Sequence, residues 1–280
     1  MTLSGSYRYC ERIARSRAKN FYYSFVLLST DQRRAMCAVY AYMRYCDDLS
    51  DDESNTDRAG SIAKWRSDLQ QALSGGQLPD HPLWPAFCDT VERFKIPQQY
   101  FFDMIVGVSS DLEPRRLQTF SELYDYCYHV ASVVGLTIIH IFGFDGPEAL
   151  PLAEKCGIAF QLTNILRDIK EDVGLNRVYL PAEDLKRFAV TEQELSASRP
   201  SGEFLELMRF EAARARKYYN ESRPLLELVH KKSRSSLWAL IEIYSRLLDR
   251  IESAGYDVLS QRVRLSTAEK AGIVLKAFAQ

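Results

Sequence analysis

Between Gly157 and Pro181 the chain reads GIAFQLTNILRDIKEDVGLNRVYLP, and within it Asn164, Asp168 and Asp172 recur at intervals of four. On an α-helix that interval stacks three oxygen-bearing side chains on one face, one turn apart. Ile165, Leu166 and Ile169 between them are apolar, as a helix packed inside the protein requires. Two carboxylates about 6 Å apart repel by about 3 kcal/mol at an effective dielectric near 20. A buried face tolerates this only with something positive between them, and a divalent cation with hard oxygen ligands is the obvious candidate. The stretch therefore asks for a helical core wrapped around a polar site.

The rest of the chain has the same helical period, and strand alternation is scarce. A first helix is expected over Tyr7–Lys19, followed by an aromatic-rich turn or helix over Asn20–Leu28. Thr30 is placed to cap a second long helix reaching Asp51, and Thr56 a third ending at Ser74-Gly75-Gly76. Further helices are expected up to Lys95, over Gln98–Leu112, and from a Thr119/Glu122 capping box to Phe142. Pro147 opens a helix pair that leads into the acidic stretch. Later helices cover Phe204–Tyr219, Ser233–Ala254 and a last one behind a Ser266/Glu269 capping box. No repeat, linker or break between cores is visible, so the expectation is one all-α domain over residues 1–280.

Lys plus Arg number 36 and Asp plus Glu 37, a net charge of −1, which argues against a nucleic-acid binder driven by overall charge. The six cysteines form no CxxC pair and have no zinc-ligand spacing, so they read as buried reduced thiols of a cytosolic protein. The N-terminus has no apolar signal-peptide core. The apolar run Val130–Phe142 is shorter than the roughly 18 residues a membrane span needs and reads as a core helix.

A second acidic cluster lies upstream, where Arg44-Tyr-Cys-Asp47-Asp48-Leu-Ser-Asp51-Asp52-Glu53 ends the second helix. Asp47 and Asp51 share a face. Acids at a helix C-terminus are disfavoured by the macrodipole, which again calls for a cation. Magnesium is usually held by one or two carboxylates together with substrate phosphates. Two acidic helices facing each other could therefore clamp a diphosphate through Mg²⁺, with arginines such as Arg44, Arg167, Arg177, Arg262 and Arg264 on its oxygens. The aromatic residues near the first motif and at Tyr124, Tyr126 and Tyr128 suit core packing. They also suit a dry cavity holding the carbocation left when a diphosphate departs.

Together these residues resemble the squalene/phytoene synthase family, the head-to-head (1'-1) prenyl transferases. The first family motif, DxxxD, corresponds to YAYMRYCDDLSDD with Asp47 and Asp51; the second, NxxxDxxxD, to NILRDIKED with Asn164, Asp168 and Asp172. The resemblance runs from about residue 15 to 265. It implies an all-α isoprenoid-synthase bundle with a central cavity, in which two or three Mg²⁺ ions bind with diphosphate between the motifs. It implies Asp47, Asp51, Asn164, Asp168 and Asp172 as metal ligands, with Tyr128 catalytic beside the four aspartates. Asn20, Phe21, Tyr40, Arg44, Asn164, Arg167, Arg177, Tyr179, Tyr244 and Arg262 are implied to contact diphosphate or shape the site. Many carotenoid-forming members have Ser-x-Ser-Phe where this chain has Ala18-Lys19-Asn20-Phe21. The Asn-Phe-Tyr-Tyr wording is similar to bacterial presqualene diphosphate synthases of the hopanoid pathway. Lys170 stands where many relatives carry a small residue; it either weakens the metal site or points outward.

The expected reaction is condensation of two farnesyl diphosphates to presqualene diphosphate. Dehydrosqualene, squalene or phytoene formation, the last from geranylgeranyl diphosphate, is the alternative. No GxGxxG follows a strand, so NADPH is not favoured. An apolar product suggests transient contact with the inner face of the membrane by a cytoplasmic enzyme. Nothing in the sequence sets the oligomeric state. A di-iron bundle is disfavoured, because only Glu227-Leu-Val-His230 has the Glu-x-x-His form. A non-catalytic helical scaffold is the rival of a different class.

Overall fold

The computed structural model describes residues 1–18, 21–52 and 54–278; the side chains of Phe21 and Asp51 also lie outside the description. Among the described residues the chain forms fourteen α-helices. The first six are α1 (Leu3–Arg17), α2 (Phe21–Phe25), α3 (Thr30–Asp51), α4 (Arg58–Leu73), α5 (Trp84–Arg93) and α6 (Gln99–Ser110). Then come α7 (Phe120–Cys127), α8 (Val133–Phe142), α9 (Ala149–Gly174), α10 (Ala182–Arg187), α11 (Gly202–Ser222), α12 (Leu225–Leu228), α13 (Lys231–Ser253) and α14 (Thr267–Ala277). The all-α expectation holds.

Caps explain most boundaries, and several differ from expectation by a residue or a few. Helix α1 begins at Leu3 rather than Tyr7, because Thr2 Oγ1 already accepts from the Gly5 amide. Ser29, not Thr30, caps α3, and Asp57, not Thr56, caps α4. In each case the neighbouring hydroxyl lost to a group better placed to accept from the amide three residues on. The Ser266/Glu269 capping box forms in full. At Thr119 only half forms: Thr119 accepts from the Glu122 amide, but Glu122 accepts from Gln118 instead of Thr119. The expected pair of helices after Pro147 is one helix, α9, of 26 residues. Two short strands, β1 (Arg115–Arg116) and β2 (Arg177–Val178), pair in parallel with Arg115 opposite Arg177.

The run from Phe120 to Phe142 is continuous: α7 passes through a π-helical turn, Tyr128–Ser132, into α8. At 23 residues it is long and apolar enough to cross a membrane, longer than the bare apolar run suggested, yet 56% of its apolar window is buried inside the protein. The π turn is held from two sides by glycines. A Cβ on Gly107 of α6 would lie 2.9 Å from His129 C, and one on Gly157 of α9 2.6 Å from Ser132 Cα. Only glycine allows these backbones so close.

Apolar packing forms two clusters. One joins α1, α3, α5, α6 and α8; the other joins α9, α11 and α13. The functional cavity lies where α3 and α8 face α9 and α13.

Candidate active site

Three helix C-termini converge on one polar chamber. Asp47 and Ser50 come from the end of α3, Asp111 caps α6, and Asp168 and Asp172 come from the last turns of α9. Neither α3 nor α9 has a basic residue in its last turn. Each C-terminus contributes roughly half a negative charge beyond its side chains. The chamber, with about 750 Å³ of empty space, thus gathers negative charge. Asn164, Gln161, Arg177 and Tyr179 complete its wall with Tyr126. Burial, with the nearby Asp168 charge second, pushes the Asp172 carboxyl up to about 7. Burial also raises Asp111 above the usual carboxylate range, opposed by Arg177. A divalent ion would relieve both.

Among the described residues no group of three His, Cys, Asp or Glu side chains is gathered closely enough to cage a metal. Instead the acids stand around the chamber. That arrangement fits an ion that arrives with diphosphate and keeps part of its shell on phosphate oxygens. Asp47, Asn164, Asp168 and Asp172 could hold such ions. Asp51 and Asn20 were also expected here; the Asp51 side chain, the Phe21 side chain and all of Asn20 lie outside the described residues.

The chamber opens into an apolar cavity with about 1140 Å³ of empty space, and Asp47, Val130, Gln161 and Asn164 border both. On α3 the lining repeats as Met36, Val39/Tyr40, Met43/Arg44 and Asp47, one face of the helix. On α9 it runs Ala153, Cys156/Gly157, Phe160/Gln161 and Asn164. Four aromatic residues face this cavity: Phe25, Tyr40, Phe160 and Tyr244. Phe160 and Tyr244 stack at 4.3 Å and 10°. Burial pushes the Tyr40 phenol up to about 12, so it remains a neutral hydrogen-bond donor. Tyr42 and Tyr45 turn the other way. Tyr42 is fully buried against Trp65, Phe87 and Phe101, and Tyr45 packs on Trp65.

The expected arginines gather at the rim. Arg167 Nε donates to Asp168 Oδ1 at 2.7 Å, and its Nη2 reaches the other oxygen. Arg262 lies 3.7 Å from Asp168 and 3.1 Å from Glu171. Arg44 pairs with Asp48 and Arg177 lines the chamber. Arg177 also donates to the Asp111 carbonyl at 3.1 Å. Lys170 points away from the site: its ammonium donates to the Leu259 carbonyl at 2.7 Å, so it ties α9 to the segment before α14.

Tyr128, expected as catalytic, borders neither space; the charges nearest its phenol are those of Asp103 and Glu154. Tyr126 occupies the chamber instead. It stacks on Tyr179 at 4.7 Å, and both phenols donate to Asp111 at 3.0 Å. On a regular helix residues two apart point in different directions, and the π turn that starts at Tyr128 shifts the phase again. Asp111, Gln161 and Phe160 were also missed. Asp111 ends the apolar run of α6, a weak signal without the fold, and Gln161 and Phe160 stand one turn before Asn164 on its own face.

A profile of the squalene/phytoene synthase family matches residues 14–269. The phytoene synthase of Arthrospira platensis is 36% identical over 96% of this chain and 91% of its own. The 15-cis-phytoene synthase of Synechocystis sp. is 35% identical over 95% of this chain and 82% of its own. A dehydrosqualene synthase crystal structure superposes with a TM-score of 0.91 at 29% identity, covering 99% of this chain and 96% of that one. Squalene synthase HpnC from Alicyclobacillus acidocaldarius gives 0.84 at 28% identity, covering 91% and 95%. With the acid-lined chamber joined to a long apolar cavity, this chain belongs to the squalene/phytoene synthase family of head-to-head prenyl transferases.

Proposed function

We propose that the protein condenses two farnesyl diphosphates into presqualene diphosphate in a Mg²⁺-dependent reaction. The carrying observation is that the acidic chamber and the apolar cavity share a wall, so a diphosphate and its hydrocarbon tail are accommodated together. Bound Mg²⁺ would neutralise the diphosphate and make it a better leaving group. The C1–O bond of the donor breaks and diphosphate leaves with the electron pair. The acceptor's double bond attacks the allylic cation; loss of a proton then closes a cyclopropylcarbinyl diphosphate. Arg44, Arg167, Arg177 and Arg262 hold the charged ends. Tyr40, Phe160 and Tyr244 present aromatic faces and exclude water. The Tyr126–Asp111–Tyr179 set orients the groups at the chamber wall.

The lining on α3 runs from Met36 to Asp47 and on α9 from Ala153 to Asn164, so at the helical rise both walls are about 16 Å long. The curated phytoene synthases among its relatives favour the second reading, two geranylgeranyl diphosphates joined toward phytoene. Mass spectrometry of products from each substrate, with and without NADPH, separates them. Presqualene diphosphate from farnesyl diphosphate, unchanged by NADPH, is expected; phytoene from geranylgeranyl diphosphate as the dominant product would replace the C15 reading.

A further inference from the structure

The first acidic motif offers two adjacent carboxylates, Asp47 and Asp48. The fold sends them to different places. Asp47 borders both chamber and cavity, whereas Asp48 borders neither. Asp48 Oδ1 accepts a hydrogen bond from Arg44 Nη2, one turn earlier on α3. Its Oδ2 lies 4.0 Å from Arg17 Nη2 at the end of α1. Both carboxylate oxygens are therefore turned toward guanidinium groups. The Arg44 side chain lines the cavity beside Tyr40 and Asp47. Its Nε is buried and, among the described residues, has no hydrogen-bond partner. A buried N–H without an acceptor is unfavourable. A phosphate oxygen is the acceptor that the planar guanidinium fork suits best.

We propose that Asp48 is a positioning residue and not a metal ligand. It holds one edge of Arg44 and steadies Arg17, so that the Arg44 guanidinium keeps its place on the cavity wall beside Tyr40 and Asp47, where a diphosphate oxygen would supply the acceptor that Nε lacks. This role rests on the prenyl-diphosphate reading of the same site. Two effects compete, since Asp48 is itself negative and repels diphosphate. Asp48 is 41% exposed on its side chain, so solvent screens that repulsion, while Arg44, at 30%, is less exposed and bonded to Asp48. Orientation should win.

The test varies Mg²⁺ and prenyl diphosphate separately for the wild type, Asp48→Asn, Asp48→Glu and Asp47→Asn. Binding of inorganic diphosphate in the presence of Mg²⁺ is measured by calorimetry alongside. Asp48→Asn should raise KM and weaken diphosphate binding about tenfold, the scale of one charge-assisted hydrogen bond, with an unchanged Mg²⁺ requirement. Asp48→Glu should restore most of the loss, and Asp47→Asn should shift the Mg²⁺ requirement instead. An Asp48→Asn defect cured by excess Mg²⁺ would make Asp48 a metal ligand and overturn the proposal. Equal or tighter diphosphate binding by Asp48→Asn would overturn it as well. A wild type that neither binds diphosphate nor turns over either prenyl substrate would bring down the functional reading, and this role with it.

Discussion

Replacing Gly157 by alanine adds one methyl group at the point where α9 meets the π turn. That Cβ would sit 2.6 Å from Ser132 Cα, 2.8 Å from Ser132 N and 2.8 Å from Ala131 O. All three atoms are backbone, so no side chain can swing aside, and the helices must separate by about 1 Å to reach ordinary contact. Alanine is favoured over glycine inside a helix by about 0.8–1.0 kcal/mol. Overpacking typically costs about 1–3 kcal/mol. The clash should win, leaving a net loss of up to about 2 kcal/mol. Gly272 in α14 is the control, because a Cβ there meets nothing within 4 Å. Gly272→Ala should gain about 0.5–1 kcal/mol. Thermal melts followed by circular dichroism should therefore move in opposite directions, by about 2–4 °C per kcal/mol. Activity should fall more than stability in Gly157→Ala. Val130 and Ala131 of the π turn and Gln161 and Asn164 of α9 share the cavity wall, and a misplacement of about 1 Å can cost about 100-fold in rate. Diphosphate release measures this. A Gly157→Ala protein that melts at or above the wild type and keeps full activity would refute the close-approach argument.

Three further outcomes are expected. Asp168→Ala should lower turnover at least about 100-fold while leaving the helical spectrum intact, because it removes oxygen ligands and leaves Arg167 without its partner; activity within about tenfold of wild type would sink the metal-clamp assignment. EDTA should stop diphosphate release and added Mg²⁺ restore it, and turnover that persists in EDTA would remove the metal from the mechanism. Away from the site, Arg214 Nη1 donates to both Glu211 oxygens at 2.8 and 2.9 Å and to Asp184 Oδ2 at 2.8 Å. One guanidinium cannot balance two buried carboxylates. Burial, only partly offset by Arg214, therefore keeps the Glu211 proton well above the usual carboxylate range. The folded state holds a proton that the unfolded chain has released above roughly pH 4.3, so stability falls as pH rises toward and through the folded value. Glu211→Gln should flatten that slope in thermal melts between pH 6 and 9; an unchanged slope would assign it to other groups.

The helical class was legible because an apolar period of 3.6 survives in almost every segment and caps announce the ends. The acid motifs were legible for a related reason: on a helix, a spacing of four is already a geometry. Asn164, Asp168 and Asp172 do share a wall, and Asp47 lines it with them. Boundaries drifted where two neighbouring groups could cap, as at Ser29 and Thr30. Tyr42 and Tyr45 illustrate a different limit. They lie on the same helix as Tyr40, yet pack into the aromatic core, because the partners of each face come from other parts of the chain.

By itself the sequence determined the helical bundle, the two acid faces and the family. Local spacing and charge suffice for these, since each is a property of a single helix. Only the tertiary structure decided that the C-termini of α3, α6 and α9 meet, that Tyr126 and not Tyr128 faces the chamber, and that Lys170 turns away. It also separated Asp47 from Asp48. Those outcomes depend on how helices distant in sequence approach one another. At the opening stretch, the approach of Gly157 to the π turn sets which side chains of Phe120–Phe142 reach the site that Asn164, Asp168 and Asp172 help to line.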